Sequence, residues 1–296
     1  MECGACRSAC PFGAIDERSN IVRVILEIKK GKKVIAMVAP SAAGQFGFKV
    51  EAGQFYSALK AAGFADVVEV AVGADITSVK EAEEYLEKVP EKQQVMTSSC
   101  CPAFVNLIRK HVPEMADKIS ETPSPMVSCG ELVKKLYPDA LTVFIGPCIA
   151  KKSEGRQHSD VIDYVMTFEE IDCMLKGKDI SIEQQPAEEY ERDGSSLGLG
   201  FPLYAGVTAA VKATVEAKGG QVEQAHYAAG LDNCRSDLEQ VSKGTLACSY
   251  FEGMACPNGC IDGPGAVADF RISKVALTKY AAAAPVQQAV DDKHTK

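Results

Sequence analysis

Short apolar runs alternate with amphipathic segments along this chain of 296 residues. The apolar runs have the length and β-branched content of buried strands, which predicts strands at residues 34–40, 66–73, 141–146, 161–168 and 245–253. Apolar residues recur at helical spacing between them, which predicts helices at residues 51–63, 76–89, 102–111, 168–176 and 208–220. Strands that alternate with helices form mostly parallel sheets, so the pattern predicts an α/β fold.

Four stretches fall outside this alternation. Residues 1–15 form a small cysteine-rich module, and residues 16–33 predict a short strand with a polar link. Residues 178–197 are polar and rich in glutamate, which predicts a surface excursion, and the tail at 281–296 is expected to be frayed.

Within the helix at 76–89, Thr77 or Ser78 is the expected N-cap.

Composition narrows the classes of function. Hydrophobic residues make up 46% of the chain, enough for a sizeable core, yet the longest apolar runs are far shorter than the roughly 20 residues of a membrane span. The N-terminus has neither the basic start nor the apolar run of a signal peptide, which predicts a cytoplasmic protein without a membrane partner. The net charge is −8, and no basic block carries interleaved aromatics, which argues against nucleic acid as a partner.

Twelve cysteines are the unusual feature of the composition. In a cytosolic chain, such a number indicates metal binding or catalysis rather than disulfides. Eight of them fall in clusters or, for Cys148, within the segment GPCIAKK. They are Cys3, Cys6, Cys10, Cys100, Cys101, Cys148, Cys256 and Cys260. Isolated cysteines usually pack as small hydrophobic residues, which predicts core positions for Cys129, Cys173, Cys234 and Cys248.

The N-terminal cysteines have the spacing Cys3-x2-Cys6-x3-Cys10-Pro11. The spacing matches three of the four cysteines in the bacterial ferredoxin motif C-x2-C-x2-C-x3-C-P, whose thiolates bind 4Fe–4S clusters. The missing first cysteine would precede Met1. We therefore predict a partial ferredoxin-like segment at residues 1–30, which holds an additional 4Fe–4S cluster only if upstream residues or a partner complete it.

The other clustered cysteines lie in three segments, TSSCCPAF (97–104), FIGPCIAKKSE (144–154) and FEGMACPNGCIDGPG (251–265). Zinc sites favour C-x2-C pairs, often with histidines, whereas these pairs are C-C and C-x3-C in a chain with four histidines. A 4Fe–4S cluster held by thiolates from three loops fits the spacing better. Scattered core cysteines and a zinc site remain alternatives on spacing alone.

In this order, the three segments resemble the signature motifs of FeFe hydrogenases, TSCCPxW, MPCxxKxxE and ExMACxxGCxxGGG. The resemblance spans roughly residues 34–280 and implies a two-lobed iron-only hydrogenase fold for residues 31–296, with mostly parallel sheets flanked by helices and the active site between the lobes. It implies reversible oxidation of H2 and reduction of protons, with electrons exchanged with ferredoxin or another low-potential carrier. Hydrogenase maturation proteins would be further partners.

The resemblance also implies a cofactor and its ligands. Cys101, Cys148, Cys256 and Cys260 match the ligands of a 4Fe–4S cluster, and the Cys260 sulfur would bridge to a two-iron subsite with carbon monoxide, cyanide and azadithiolate ligands. Lys151 and Ser41 match the residues that hydrogen-bond the two cyanides, and Met254 matches a methionine packed beside the subsite. The other positions assigned to its surroundings are Pro40, Met126, Gly146 and Pro147.

A proton relay is the last feature that the resemblance implies. Cys100 matches a thiol that passes protons to the azadithiolate. Counting on from the GADxT motif at 73–77, Glu81 and Glu84 match two relay glutamates, and Ser120 matches a relay serine, which gives the expected chain Glu81–Ser120–Glu84–Cys100. The two glutamates share a helix face, and without the resemblance this pair would be interpreted as a solvated acidic surface.

The chain also departs from the family pattern. Gly146 replaces a methionine, Met126 a glutamine and Ala205 a phenylalanine, while AF replaces GW and GPGAV replaces GGGQP. Residues around metal ligands tune potential and access, so these changes indicate a divergent branch. Two alternatives to a catalytic hydrogenase are a hydrogen sensor of low turnover and a cluster-assembly factor with a plain iron–sulfur cluster. The presence of Cys100, Lys151 and Cys260 favours the catalytic enzyme.

Overall fold

Two parallel β-sheets form the framework of the protein, in a computed structural model that describes residues 1–190 and 192–295. The strands of this part of the chain are β1 (Val34–Val38), β2 (Asp66–Glu69), β3 (Met96–Thr97), β4 (Leu141–Gly146), β5 (Tyr164–Thr167), β6 (Ala225–Ala229) and β7 (Tyr250–Met254). The larger sheet has the order β2-β1-β4-β5 and the smaller β3-β7-β6. Every pairing in both sheets is parallel, which confirms the predicted fold class.

Helices cover both sheets. They are α1 (Ala5–Ala9), α2 (Ile21–Lys29), α3 (Ala52–Ala61), α4 (Ala71–Lys88), α5 (Pro102–His111), α6 (Pro125–Leu136), α7 (Ala150–Gln157), α8 (Phe168–Lys176), α9 (Ser196–Gly200), α10 (Gly206–Ala217), α11 (Leu231–Ser242) and α12 (Phe270–Ala282). No helix in the described part of the chain is long and apolar enough to cross a membrane.

Strand β1 lies at the centre of the larger sheet and all five of its side chains are buried. Its last residue, Val38, pairs with Glu69 of β2 and with Ile145 of β4. The carboxyl ends of three neighbouring strands therefore lie level with one another. In parallel sheets this is the edge where functional loops gather, and the loops that follow β1 and β4 carry Ser41 and Cys148.

Helix α2 corrects the prediction of a strand within residues 16–33. Val24 is fully buried in the core of the larger sheet, and Ile21, Ile25 and Ile28 pack against the same core. These residues have the spacing i, i+3, i+4 and i+7, which is the pattern of an amphipathic helix. Their β-branched side chains favour strands as isolated residues, but burial of one helical face outweighs that preference.

Helix α4 also begins earlier than predicted. The expected strand at 66–73 ends at Glu69, and the helix starts at Ala71. Thr77 and Ser78 are therefore interior helix residues and not N-caps, and both are buried. The Thr77 hydroxyl donates instead to the carbonyl of Pro123 at 3.0 Å.

Three isolated cysteines occupy core positions as predicted, namely Cys129, Cys234 and Cys248, whereas Cys173 is exposed on α8. The tail is also more ordered than expected. Within its described part, Ala289 and Asp292 are buried, and the carboxyl group of Asp292 lies beside that of Asp75 in α4. The prediction of a frayed segment from residue 281 was therefore wrong for this stretch.

The paired carboxyls predict a pH dependence of stability. Burial raises the pKa of Asp75, hydrogen bonds from Ser195 lower it in part, and Asp292 raises it further. An ordinary aspartate has a pKa of about 3.9, so the folded chain holds a proton that the unfolded chain releases. This contribution to stability is fully present below that ordinary value and is lost as pH rises through the raised native pKa.

Asp75→Asn should remove this dependence, because an amide can bond to Ser195 without ionising. We expect its melting temperature to exceed that of the parent at neutral and alkaline pH and to converge with it in acid. Thermal unfolding across a pH series checks this, with the exposed Asp160→Asn as control. Parallel curves for the parent and Asp75→Asn would contradict the assignment.

Candidate metal centre

Three cysteine-bearing loops leave the carboxyl ends of strands from both sheets. Cys100 and Cys101 follow β3 and directly precede α5. Cys148 lies between β4 and α7, and the loop after β7 carries Cys256 and Cys260. Together with residues after β1, these loops surround a cavity of about 100 Å³ between the two sheets.

The loop after β7 depends on a glycine for its path. Gly259 has φ +80, and a Cβ there would lie 2.4 Å from the carbonyl oxygen of Pro202. The close approach lets the next amide, that of Cys260, donate to the same carbonyl at 2.8 Å. This contact fixes the direction of Cys260 toward the cavity that it lines.

Four thiols face one another in this region. Burial raises the pKa of Cys101, Cys148, Cys256 and Cys260, and for the last three the neighbouring thiols raise it further. The pKa of Cys148 reaches about 11. Four thiolates in one place repel each other unless cations compensate them, and metal coordination deprotonates thiols by supplying that charge. The four side chains therefore have the chemistry of a metal-ligand set.

Among residues 1–190 and 192–295, no three histidine, cysteine or acidic side chains converge closely enough to hold a single ion. Iron–sulfur clusters are typically held by cysteine thiolates, and the assignment of these four cysteines to such a cluster stays a prediction.

Lys151 contributes a cation to the cavity wall. Its ammonium group donates to the carbonyl of Cys100 at 3.1 Å and to the carboxylate of Glu154 at 2.6 Å. Burial lowers the pKa of Lys151, but Glu154, Cys148 and Cys100 together outweigh this effect, so the net pKa is raised. The side chain is therefore a charged donor held in a fixed position by its ion pair.

Ser41 faces the same cavity from the turn that follows β1. Its hydroxyl is buried and has no hydrogen-bond partner among the described residues. A buried hydroxyl without a partner is unfavourable, so this group is free to donate to a ligand in the cavity. The remaining wall includes the predicted residues Pro40, Met126, Pro147 and Met254.

Gly146 ends β4, but Phe144 and Pro147 form the wall at this point. A Cβ at Gly146 would lie 2.7 Å from the Phe144 ring and 3.2 Å from the Cβ of Ala39. The ring therefore fills the space that a side chain at 146 would need. This explains why glycine stands where the resembling family has methionine.

The residues of the predicted relay form two contacting pairs, but not in the predicted order. The Cys100 thiol donates to Oε2 of Glu81 at 3.9 Å, whereas the Ser120 hydroxyl donates to Oε2 of Glu84 at 2.6 Å. Glu81 is therefore the inner carboxyl and Glu84 the outer one. The expected chain, with Glu84 next to Cys100, was wrong because α4 runs outward and its earlier glutamate lies deeper.

The two carboxyls have different electrostatic environments. Burial raises the pKa of Glu81 to about 8, although hydrogen bonds lower it in part. Burial also acts on Glu84, but hydrogen bonds from Lys88 and Ser120 outweigh it and lower its pKa. The inner group can thus gain and lose a proton near neutral pH, while the outer group is ionised.

Two contacts of the relay carboxyls had no signal in the sequence. The Thr122 hydroxyl donates to Glu84 at 2.9 Å, and the Tyr250 hydroxyl donates to Glu81 at 3.0 Å. Both partners lie far from the glutamates along the chain and belong to no motif that the sequence analysis identified. Only the packing of β7 and the 120–124 turn on α4 brings them together.

The N-terminal segment packs on the loops of the metal centre. Gly4, with φ +83, lies so close to Pro264 and Ile149 that a Cβ would meet them at 2.7 and 2.9 Å. The Arg7 guanidinium donates to the carbonyl of Pro264 at 2.9 Å.

The three cysteines of this segment remain near the surface. Backbone N–H groups of Ala14 and Phe12 lower the pKa of Cys10. Cys3, Cys6 and Cys10 do not converge on a single-ion site within the described residues.

Comparison with known proteins extends this description. The family model described as the iron only hydrogenase large subunit, C-terminal domain, matches residues 32–264. The chain is 28% identical to the NADP-reducing hydrogenase subunit HndD of Solidesulfovibrio fructosivorans, over 89% of this chain and 55% of the relative. It is also 28% identical to iron hydrogenase 1 of Clostridium pasteurianum, over 86% of this chain and 54% of the relative. The chain therefore spans little more than half the length of these relatives.

A shorter match joins residues of this chain to the cytosolic Fe–S cluster assembly factor NAR1 of Kluyveromyces lactis, with 32% identity over 33% of this chain and 21% of the relative. Among solved structures, the apo [FeFe]-hydrogenase HydA1 from Chlamydomonas reinhardtii, variant C377H, superposes with a TM-score of 0.75 at 18% identity, covering 94% of this chain and 93% of that chain. This likeness confirms the expected fold. By the family match, the chain belongs to the iron-only hydrogenase large-subunit family and contains its C-terminal domain.

Proposed function

We propose that this chain is the catalytic part of an FeFe hydrogenase that interconverts H2 with protons and electrons. One observation carries the proposal: the cavity lined by Cys101, Cys148 and Cys260 is also lined by Cys100, whose thiol contacts a buried carboxyl of α4. A plain electron-transfer cluster needs thiolates alone. A site that also handles protons needs a titratable chain leading away from the metal.

Cys101, Cys148, Cys256 and Cys260 would hold a 4Fe–4S cluster, and Cys260 would also hold a two-iron subsite. When bound, this group supplies the redox chemistry and the open metal position for H2. Lys151 and the unpartnered Ser41 hydroxyl would donate to its cyanide ligands. A fixed cationic donor suits an anionic ligand, because charge-assisted hydrogen bonds are the stronger ones.

Protons would move along the chain's own side chains. Cys100 gives a proton to Glu81 or takes one from it across the 3.9 Å contact. Glu84, next along the same helix face, exchanges protons with Ser120 and with water near exposed Glu121. A buried site cannot exchange protons with solvent directly, so each of these groups must both bind and release a proton.

We further propose that residues 31–296 are the catalytic domain and that residues 1–30 are a partial ferredoxin-like segment. Ferredoxin or another low-potential carrier would be the electron partner, and dedicated maturation proteins would install the two-iron subsite. The cytoplasm is the proposed compartment, since all twelve cysteines are free of disulfides and such thiols persist where the environment is reducing.

Two other functions use the same fold. A hydrogen sensor would bind the same cofactor but turn over slowly. A cluster-assembly role has some support from the short match to NAR1. Two contacts argue against an assembly role, the Lys151–Glu154 pair and the Cys100–Glu81 contact. A plain iron–sulfur cluster requires neither of them.

The proposed function predicts that hydrogen turnover depends on maturation of the cofactor. Produced without maturation proteins, the chain should hold a 4Fe–4S cluster and show no hydrogen turnover. Produced with them, or given a synthetic two-iron subsite, it should show carbonyl and cyanide infrared bands and evolve and consume H2. Bands with negligible turnover would favour the sensor, and the absence of bands after maturation would favour the assembly role.

The adjacent cysteines should have separable roles. Cys101→Ala should lower iron content, because it removes one of four cluster thiolates. Cys100→Ala should keep the cluster and its infrared bands, yet lose at least about 100-fold in turnover, the scale for a positioned proton-transfer group. Cys100→Asp should recover part of this rate, since a carboxylate also carries protons.

The outer glutamate provides a matched pair for the same test. Glu84→Gln should slow turnover with the cluster intact, whereas Glu87→Gln, on the exposed face and paired with Lys92, should not. Full activity in Cys100→Ala with an intact cluster would mean that protons take another route.

The N-terminal segment should not hold a cluster by itself in this chain. Cys3, Cys6 and Cys10 offer three thiolates, and a 4Fe–4S cluster takes four. Iron and sulfide analysis of the Cys3/Cys6/Cys10 triple alanine variant should therefore match that of the parent. A loss of about four irons per chain would reveal a second cluster.

A further inference from the structure

The hydroxyl of Tyr250 holds the inner relay carboxyl. Tyr250 is fully buried at the start of β7, and its hydroxyl donates to Oε1 of Glu81 at 3.0 Å. The other oxygen, Oε2, faces the Cys100 thiol at 3.9 Å. The two oxygens of Glu81 are thus divided between a phenol and a thiol, so the rotation of the carboxyl is fixed.

The tyrosine itself is held firmly. Strand β7 is the middle strand of the smaller sheet, with β3 on one side and β6 on the other. The Tyr250 ring packs edge-on against Tyr85, with ring centroids 6.1 Å apart. Burial raises the pKa of Tyr250, and Glu81 raises it further. The phenol is therefore a neutral donor that stays in place.

The groups with the largest effects on the pKa of Glu81 are Tyr250 and Glu252 from β7, Glu84 from α4 and Cys100 from the loop after β3. The two carboxylates oppose its ionisation, whereas the Tyr250 hydrogen bond favours it. The phenol consequently both orients Glu81 and favours its charged form.

We infer that Tyr250 is a positioning residue of the proton relay, which turns Oε2 of Glu81 toward Cys100. This inference rests on the proposed function. At 3.9 Å the thiol–carboxyl contact is already at the long end for a hydrogen bond that involves sulfur, so a small rotation of the carboxyl would break it. A phenylalanine at 250 would fill the same space but would leave Oε1 without its donor and the carboxyl free to turn.

The variant pair Tyr250→Phe and Tyr85→Phe tests this in the full chain. Each change deletes one hydroxyl from the same pair of packed rings, and the Tyr85 hydroxyl donates to Ser249 at 2.9 Å rather than to Glu81. In the matured protein, kcat should fall about tenfold to 100-fold in Tyr250→Phe, since small displacements of reacting groups have effects of that size. The KM for H2 should stay the same, and Tyr85→Phe should resemble the parent.

A second measurement does not depend on hydrogen turnover. In the chain without the two-iron subsite, the carbonyl stretch of protonated Glu81, identified by its loss in Glu81→Gln, can be followed by infrared titration. Removal of a hydrogen bond that favours the carboxylate raises the pKa. The band of Tyr250→Phe should therefore persist to higher pH than that of the parent, while Tyr85→Phe should titrate like the parent.

The outcomes separate the two proposals. An unchanged titration in Tyr250→Phe, or equal shifts in both variants, would overturn the role of Tyr250. A shifted band with unchanged kcat would also overturn it, because the contact would then have no effect on the relay. A selective shift in a matured protein without hydrogen turnover would support the Tyr250–Glu81 contact and refute the proposed function.

Discussion

The parallel direction of all strands is the constraint on which the rest of the structure depends. Because every strand of a sheet ends at the same edge, the loops after β1 and β4 meet at one edge, and those after β3 and β7 meet at another. The two edges face a common cavity. Cysteines that are 47 residues or more than 100 residues apart in sequence therefore lie in the same region. Ser41, Ser98 and Lys151 supply the other polar side chains of the cavity wall.

The meeting of these loops brings buried ionisable groups close together, which is electrostatically unfavourable without a compensating charge. Burial raises the pKa values of Cys101, Cys148, Cys256 and Cys260, and it raises the pKa of the buried Glu252 to about 7. The amide of Thr208, at the start of α10, donates to Glu252 at 2.6 Å and lowers that pKa in part. Lys151 adds one cation, which is already paired with Glu154. Under the proposed function, a metal cluster would neutralise the thiolates, so its binding would be coupled to the folding of these loops.

The sequence predicted what depends on local pattern. Strand β1 follows from a continuous apolar run, and α5 follows from Pro102 at its first position. The proposed metal-ligand set rests on the resemblance of the three cysteine segments to the family motifs and stays a prediction. The contacts between distant segments were not predictable in this way. The Tyr250–Glu81 hydrogen bond joins residues 169 positions apart, and the inner position of Glu81 depends on the direction in which α4 leaves the sheet. Helix α2 was missed because its β-branched residues satisfy both strand preference and helical spacing.

Differences from the resembling family are compensated by neighbouring side chains. At Gly146 the lost side chain is replaced by the ring of Phe144. At Phe104, where the family motif has tryptophan, the ring fills the space beside Gly253, whose Cβ would lie 2.0 Å from it, and it stacks on Phe251 with the planes nearly parallel. In both places a neighbouring ring fills the volume that another side chain would occupy, so the total packed volume is kept. Protein cores tolerate such volume-conserving changes well. The residues with acid–base or metal chemistry cannot be exchanged in this way, because a ring does not replace a thiol or a carboxyl. Low overall identity to relatives is therefore compatible with an unchanged set of chemical groups around the cavity.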